Sequence, residues 1–450
     1  MKWIICFLLA FSGSLAADTL AYAPPDFEKD GKTYRFVDFE KAYYSLDVNY
    51  SGRSVLVNSQ VHFTLAKDGY VIFDSVPNLF DVYLNGKQVE IGDLYLPETY
   101  SPARYIQQKL KAGSYVMISK NYINDYVTYE DRRVRMAFWM SDLRDRNFLE
   151  QYMPSNFDYD QYQMDFHVSI QETDRPHVLM HNCAAIEETK FSMQLECPSH
   201  YNSSSLFFHL FEEGRFVEKL GSYPSIDGRS IPYRVYGETA DRLFPRIDGL
   251  LKELEGDYGA WPYDSLLVYA NTSSGGMEYA AATSTGARAL GHELHHAYFA
   301  RSAHPAGGNA GWVDEALASW RDGGYKVKTS LGPWHETEMA SHSPYTRVTD
   351  MKAYTQGAQI IAHIDYLVQD VGGLKDFLKH FHAISAYLPF DTESFKLALE
   401  QYYEMDFAQL FDTYVYGKRI LESEPNLQPM HLPEQKGMHD FTEEELYEIL

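Results

Sequence analysis

The segment Gly291-His292-Glu293-Leu294-His295-His296-Ala297 decides how this chain is read. Its neighbours Ala289, Leu290 and Leu294 supply an apolar side, and the pattern predicts a helix from Thr285 to Ala300. Residues four apart on a helix lie about 40° apart round the axis, so His292 and His296 turn both imidazoles to one side. Two such nitrogens can hold one zinc ion, with Glu293 one step round the helix and outside the ligand set. From there a carboxylate acts as general base on water that the metal has made acidic. A pairing of His292 with His295 is also open on spacing alone. Only the His292/His296 pairing leaves Glu293 in its working position, and His295 is then expected behind a ligand or at the surface.

A catalytic zinc takes a third protein ligand and keeps a fourth position open. Glu315 supplies that ligand in Trp312-Val313-Asp314-Glu315-Ala316-Leu317-Ala318-Ser319-Trp320, a second helix ended by Gly323-Gly324. Eighteen residues separate it from His296, and Gly307-Gly308 between the helices lets the chain reverse. Asp314 is expected either to orient a ligand histidine or to face solvent.

These motifs resemble those of the gluzincins, and of the M1 aminopeptidases in particular. Gly275-Gly276-Met277-Glu278-Tyr279 is similar to that family's Gly-x-Met-Glu-Asn block, which forms an edge strand along the substrate cleft. The resemblance implies that Gly275, Gly276 and Met277 line the cleft and that Glu278 binds the substrate's free α-amine, a charge-assisted contact. Tyr354-Thr355-Gln356-Gly357 is similar to the family's Tyr-x-Lys-Gly block and implies that Tyr354 donates a hydrogen bond to the developing oxyanion. Two positions differ: Tyr279 stands for the asparagine and Gln356 for the lysine. The M61 glycyl aminopeptidases share the zinc spacing and resemble the chain at the same level.

Working outward, the pattern divides the chain. From Tyr34 to Glu213 apolar and polar residues alternate, as in Ser54 to Phe63, Gln163 to Gln171 and Phe191 to Glu196, and Phe80 to Ile91 folds at Asn85-Gly86. Gly221 to Pro232 is rich in Gly, Pro and Ser and reads as a boundary. Beyond it come a helix over Thr239 to Leu254, a strand over Ser265 to Ala270, and helices over Tyr354 to Gln369, Leu374 to Ser385, Thr392 to Tyr403 and Phe407 to Tyr416. The expected architecture is multidomain: a signal peptide (1–17), a β-rich N-terminal domain (18–230), a thermolysin-like α+β catalytic domain (231–345) and an α-helical C-terminal domain (346–450).

At 450 residues the chain is long enough for several cores, and its net charge of −24 disfavours nucleic acid as a partner. Lys2 followed by apolar Trp3 to Phe11 and the small residues Ser14-Leu15-Ala16 reads as a Sec-type signal, so the mature protein is expected to be secreted or periplasmic, without stable membrane insertion. Cys6 leaves with that signal. Cys183 and Cys197 remain, either paired or as free buried thiols.

The expected activity is zinc-dependent hydrolysis of peptides with a free N-terminus, with one catalytic Zn2+ on His292, His296 and Glu315. Two rivals stand beside it: a zinc endopeptidase of the same fold, and a catalytically silent scaffold, the latter motivated by Tyr279 and Gln356. Side-chain preference and oligomeric state do not follow from the sequence.

Overall fold

The computed structural model describes residues 19–97, 99, 102–141, 147–332, 337–340 and 343–418. The signal segment lies outside these residues. Among the described residues no helix is long and apolar enough to cross a membrane.

The alternating N-terminal half folds into β-structure. Ser54–Leu65 points every second residue into the core, and its neighbours Asp38–Asn49 and Gly113–Ile123 pair with it in antiparallel register. Gln163–Gln171 then adds to Asp38–Asn49 in parallel, with Phe166 opposite Tyr44. These strands form the middle of an eight-stranded sheet, and a second sheet of five strands and a third of four complete this half. The Asn85-Gly86 turn joins Phe80–Leu84 to Lys87–Gln88, both residues having positive φ. Cys183 and Cys197 are disulfide-bonded and flank the hairpin of Ala184–Glu188 and Ser192–Glu196.

The expected boundary at Gly221 to Pro232 is a hairpin instead. Glu218–Pro224 and Ser230–Tyr236 pair residue for residue, so a division after residue 230 would cut through a strand. Turn residues signal a change of direction, and here the change lies within a sheet. Glu255, fully buried on Ile247–Tyr258, fixes the hairpin by accepting from Tyr223 Oη (2.9 Å), Ser225 Oγ (2.5 Å) and the Ile226 and Trp261 amides (3.0 and 2.8 Å).

This hairpin opens a five-stranded mixed sheet in the order Glu218–Pro224, Ser230–Tyr236, Leu266–Ala270, Ala282–Thr285, Gly276–Tyr279. The last is an antiparallel edge strand with Glu278 opposite Thr283. The helix expected from Thr285 begins only at Leu290, because Ala282–Thr285 is held in the sheet on both sides. It continues to His296 and then widens into a π-helical turn, Ala297–Ser302, closed by a bond from the Ala303 amide to the Tyr298 carbonyl. The glutamate helix, Gly311–Asp322, packs beside it, and Gln356–Val368 packs on that helix in turn. Helices Leu374–Ser385, Thr392–Tyr403 and Ala408–Tyr414 complete the helical C-terminal region.

Candidate active site

The motif helix and the glutamate helix meet at three buried side chains. His292 Nε2 lies 3.3 Å from Glu315 Oε2, and His296 Nε2 lies 3.5 Å from the same oxygen. The donor atoms of His292, His296 and Glu315 all fall within 4.8 Å of one another. Ligands at the corners of a tetrahedron about 2.1 Å from a zinc ion sit about 3.4 Å apart, so the two measured separations match that chemistry. Two imidazoles and one carboxylate are also the donor types zinc takes in catalytic sites, with a fourth position left for a reactant.

The charges around this cluster are arranged for a cation. Burial alone would lower the His292 and His296 imidazoles. Asp322 and Glu315 outweigh it at His292 and hold that ring well above its ordinary pKa. Glu278 and Glu315 do the same at His296, raising it to about 10. Glu315 is held well below the usual carboxylate range: burial pushes it up, but both histidines pull harder in the other direction.

His292 and Glu315 are aimed by further hydrogen bonds. Asp322 Oδ2 accepts from His292 Nδ1 at 2.8 Å, which leaves Nε2 for the metal. Arg321 Nη1 holds the other Asp322 oxygen at 2.9 Å and its Nε reaches Glu253 at 2.9 Å. Asp322 escaped the sequence reading, although its signal was available: it follows Glu315 by seven residues, two helical turns, and so shares its face. Asp314 fills the orienting role less directly, since its Oδ2 is 4.0 Å from His296 Nδ1, beyond hydrogen-bond range. His295 is not at the surface: its ring packs 6.1 Å from that of His296, behind that residue. It is fully buried, edge-on to Tyr258 and beside Phe299, with no hydrogen-bond partner for either ring nitrogen.

Glu293 is buried at the rim of the cluster, directly beneath the edge strand. A Cβ on Gly276 would come within 2.6 Å of Glu293 Cγ, Cδ and Oε1. Gly276 is therefore glycine because the Glu293 carboxylate occupies the space a side chain would need. Met277 is half-buried beside it. Gly275 is committed elsewhere: it is buried, and its carbonyl accepts from the Gly286 amide (3.0 Å) and Ser273 Oγ (2.7 Å), closing the turn into the strand.

Tyr354 reaches the site from the third helix layer. Its Oη donates to Glu315 Oε1 at 2.9 Å, and its ring lies 6.2 Å from that of His292. Gly357 makes this approach possible, because a Cβ there would be 2.9 Å from Ala316 Cβ on the glutamate helix. Tyr279, the departure from the family block, points away from the cleft: it is buried, and its Oη donates to the Phe138 carbonyl at 3.4 Å. It fastens the edge strand to the β-domain. His363 and His382 are engaged structurally, with Lys328 O and Ser302 Oγ respectively.

Protein-family models give no match to the chain, and neither do curated protein sequences. Solved structures do. The fold is that of the M1 zinc metallopeptidases, which share it with this chain at low identity. An M1 zinc metallopeptidase from Deinococcus radiodurans superposes with a TM-score of 0.60 at 15% identity, over 89% of this chain and 97% of that one. Yeast LTA4 hydrolase in complex with bestatin gives 0.59 at 14% identity, over 89% and 69%. Legionella pneumophila aminopeptidase A in complex with aspartic acid gives 0.60 at 12% identity, over 84% and 49%.

Proposed function

We propose that the protein is a zinc aminopeptidase, removing N-terminal residues from peptides. The observation that carries this reading is the convergence of His292, His296 and Glu315 at tetrahedral spacing, with Glu293 beneath the edge strand. A zinc ion held there supplies Lewis acidity, polarising the scissile carbonyl and lowering the pKa of water. Glu293 takes the proton from the attacking water and passes it to the departing amine nitrogen. Tyr354 turns its hydroxyl from Glu315 to the carbonyl oxygen as that oxygen gains negative charge. Glu278 accepts from the substrate's terminal ammonium, and the backbone of Gly276 and Met277 aligns the extended substrate at the sheet edge. One of the solved relatives of this fold, from D. radiodurans, is bound to a Tyr-Ser-Ala substrate, which supports a peptide as the substrate class. The reading includes export, and the Cys183–Cys197 disulfide supports an oxidising compartment.

The test is a panel of aminoacyl-p-nitroanilides and their N-acetylated counterparts, assayed with and without a zinc chelator. Hydrolysis of the free-amine series alone, lost on chelation and restored by zinc, is the expected result. Equal hydrolysis of the acetylated series would make the protein an endopeptidase. No hydrolysis at full zinc occupancy would leave a scaffold.

A further inference from the structure

Glu278 shares its place with a cation that no motif reading foresaw. Arg301 is buried, and its Nη2 donates to Glu278 Oε1 at 2.8 Å while its Nε donates to the Glu278 carbonyl at 3.2 Å. Both the side chain and the backbone of one residue are thus gripped by one guanidinium, whose planar fork suits such a double contact. The third grip comes from the β-domain. Arg301 Nη1 donates to Ser204 Oγ at 2.8 Å. The Ser204 hydroxyl gives its own proton to Asn202 Oδ1 at 2.8 Å, so its lone pairs are what Arg301 meets. Asn202 is itself anchored, its amide donating to the Asp158 carbonyl at 3.0 Å.

The backbone explains how Arg301 arrives there. In an α-helix, a residue five beyond His296 would lie about 140° round from it, facing away from Glu278. The π-helical turn Ala297–Ser302 takes more residues per turn and brings position 301 back over the His296 side. Glu278 and His296 are neighbours there, their donor atoms falling within 4.8 Å of each other and of Asp314. π-Helical turns are rare and concentrate at functional sites. This one joins the zinc helix directly to the residue that holds Glu278.

We propose that Arg301 is the positioning residue for Glu278: it commits Oε1, fixes the carboxylate against the cleft wall, and leaves Oε2 as the oxygen that meets the substrate's ammonium. The proposal rests on the reading of Glu278 as the amine contact. It makes recognition of the N-terminus depend on three elements at once, namely the edge strand, the π-helical turn and the Asn202–Ser205 loop of the β-domain. Because the ammonium meets an ion pair and not a lone carboxylate, its binding depends on the placement of one oxygen, and disturbing the pair acts on substrate binding before it acts on chemistry.

The experiment uses the zinc-loaded full chain with Glu278→Gln, Arg301→Met, the double variant and Ser204→Ala, on aminoacyl-p-nitroanilides with zinc content checked in each. Arg301→Met is expected to raise KM for the free-amine substrate about tenfold while kcat changes less than about threefold, the signature of lost binding. In the Glu278→Gln background the same change is expected to add nothing, since two residues acting through one contact are non-additive. Ser204→Ala removes one acceptor without stranding a buried charge. It gives the same split, about threefold in KM, and decides the question if Arg301→Met does not fold. Additive effects in the double variant, or a loss confined to kcat, would overturn the proposal. If Glu278→Gln raises KM while Arg301→Met and Ser204→Ala do not, the proposal alone falls. If Glu278→Gln leaves KM unchanged, the amine reading of Glu278 falls as well.

Discussion

Asp322 Oδ2 lies 2.8 Å from His292 Nδ1, on the same helix that carries Glu315. In the proposed site one helix therefore supplies both a metal ligand and the carboxylate that orients another ligand. Fixing the imidazole's tautomer and direction raises its basicity toward a metal, and losing such a partner costs about 10- to 100-fold in affinity. Asp322→Ala is expected to weaken zinc binding within that range, measured by competition with a chromophoric chelator. Unchanged affinity would mean that Asp322 serves only Arg321.

Zinc affinity should also depend steeply on pH. In the metal-free protein both His292 and His296 hold their protons above the ordinary imidazole range, His296 to about 10. A metal must displace those protons, so affinity falls as pH falls and rises as pH rises. Between pH 6 and 8 His296 starts protonated, and the apparent affinity should gain about tenfold per pH unit for that proton, and more where His292 also releases one. Calorimetry in buffers of different ionisation enthalpy counts those protons. A dissociation constant equal at pH 6 and pH 8 would contradict the charge arrangement.

Gly276 and Glu293 give a third expectation. Gly276→Ala places a methyl within 2.6 Å of the Glu293 carboxyl. Glu293 is the flexible partner and would turn aside, so zinc should stay bound while kcat falls at least about tenfold, a proton-transfer group having lost its alignment. Glu293→Gln sets the lower limit, with zinc retained and activity abolished. If Gly276→Ala matches the unaltered protein in kcat, the contact has no catalytic consequence.

How much of this the sequence carried depended on the range of the interaction. His292, Glu293 and His296 are close together on one helix, so helical spacing brings them within reach of one another and leaves only the His292/His295 pairing as an alternative. The boundaries of Leu374–Ser385 and Thr392–Tyr403 matched for the same reason, local amphipathic pattern with a capping box at Asp391 in the second. Asp322 was two turns away on a helix already recognised and could have been found by counting sevens. Arg301 could not, because the π-helical turn changes the phase in which α-helical counting works. The hairpin over Gly221 to Pro232 was hidden differently: its Gly, Pro and Ser residues are common to linkers and to tight turns, and only pairing with Leu266–Ala270 through Ser230–Tyr236 distinguishes the two.

The last expectation separates packing from chemistry at Tyr354. Gly357 lets Gln356–Val368 press against the glutamate helix, and Tyr354, three residues earlier, reaches Glu315 because of that approach. Gly357→Ala puts a methyl 2.9 Å from Ala316 Cβ, between two backbones that cannot easily yield, an overpacking cost of about 1–3 kcal/mol. Thermal unfolding should show that loss, and kcat should fall with it as Tyr354 is displaced from the carbonyl oxygen it serves. Tyr354→Phe keeps the ring and removes only the hydroxyl, so it should lower kcat about 10²- to 10³-fold with little change in the melting temperature. The two variants thus share a kinetic defect and differ in stability. If Tyr354→Phe instead melts early and retains its kcat, the hydroxyl braces Glu315 and takes no part in the reaction.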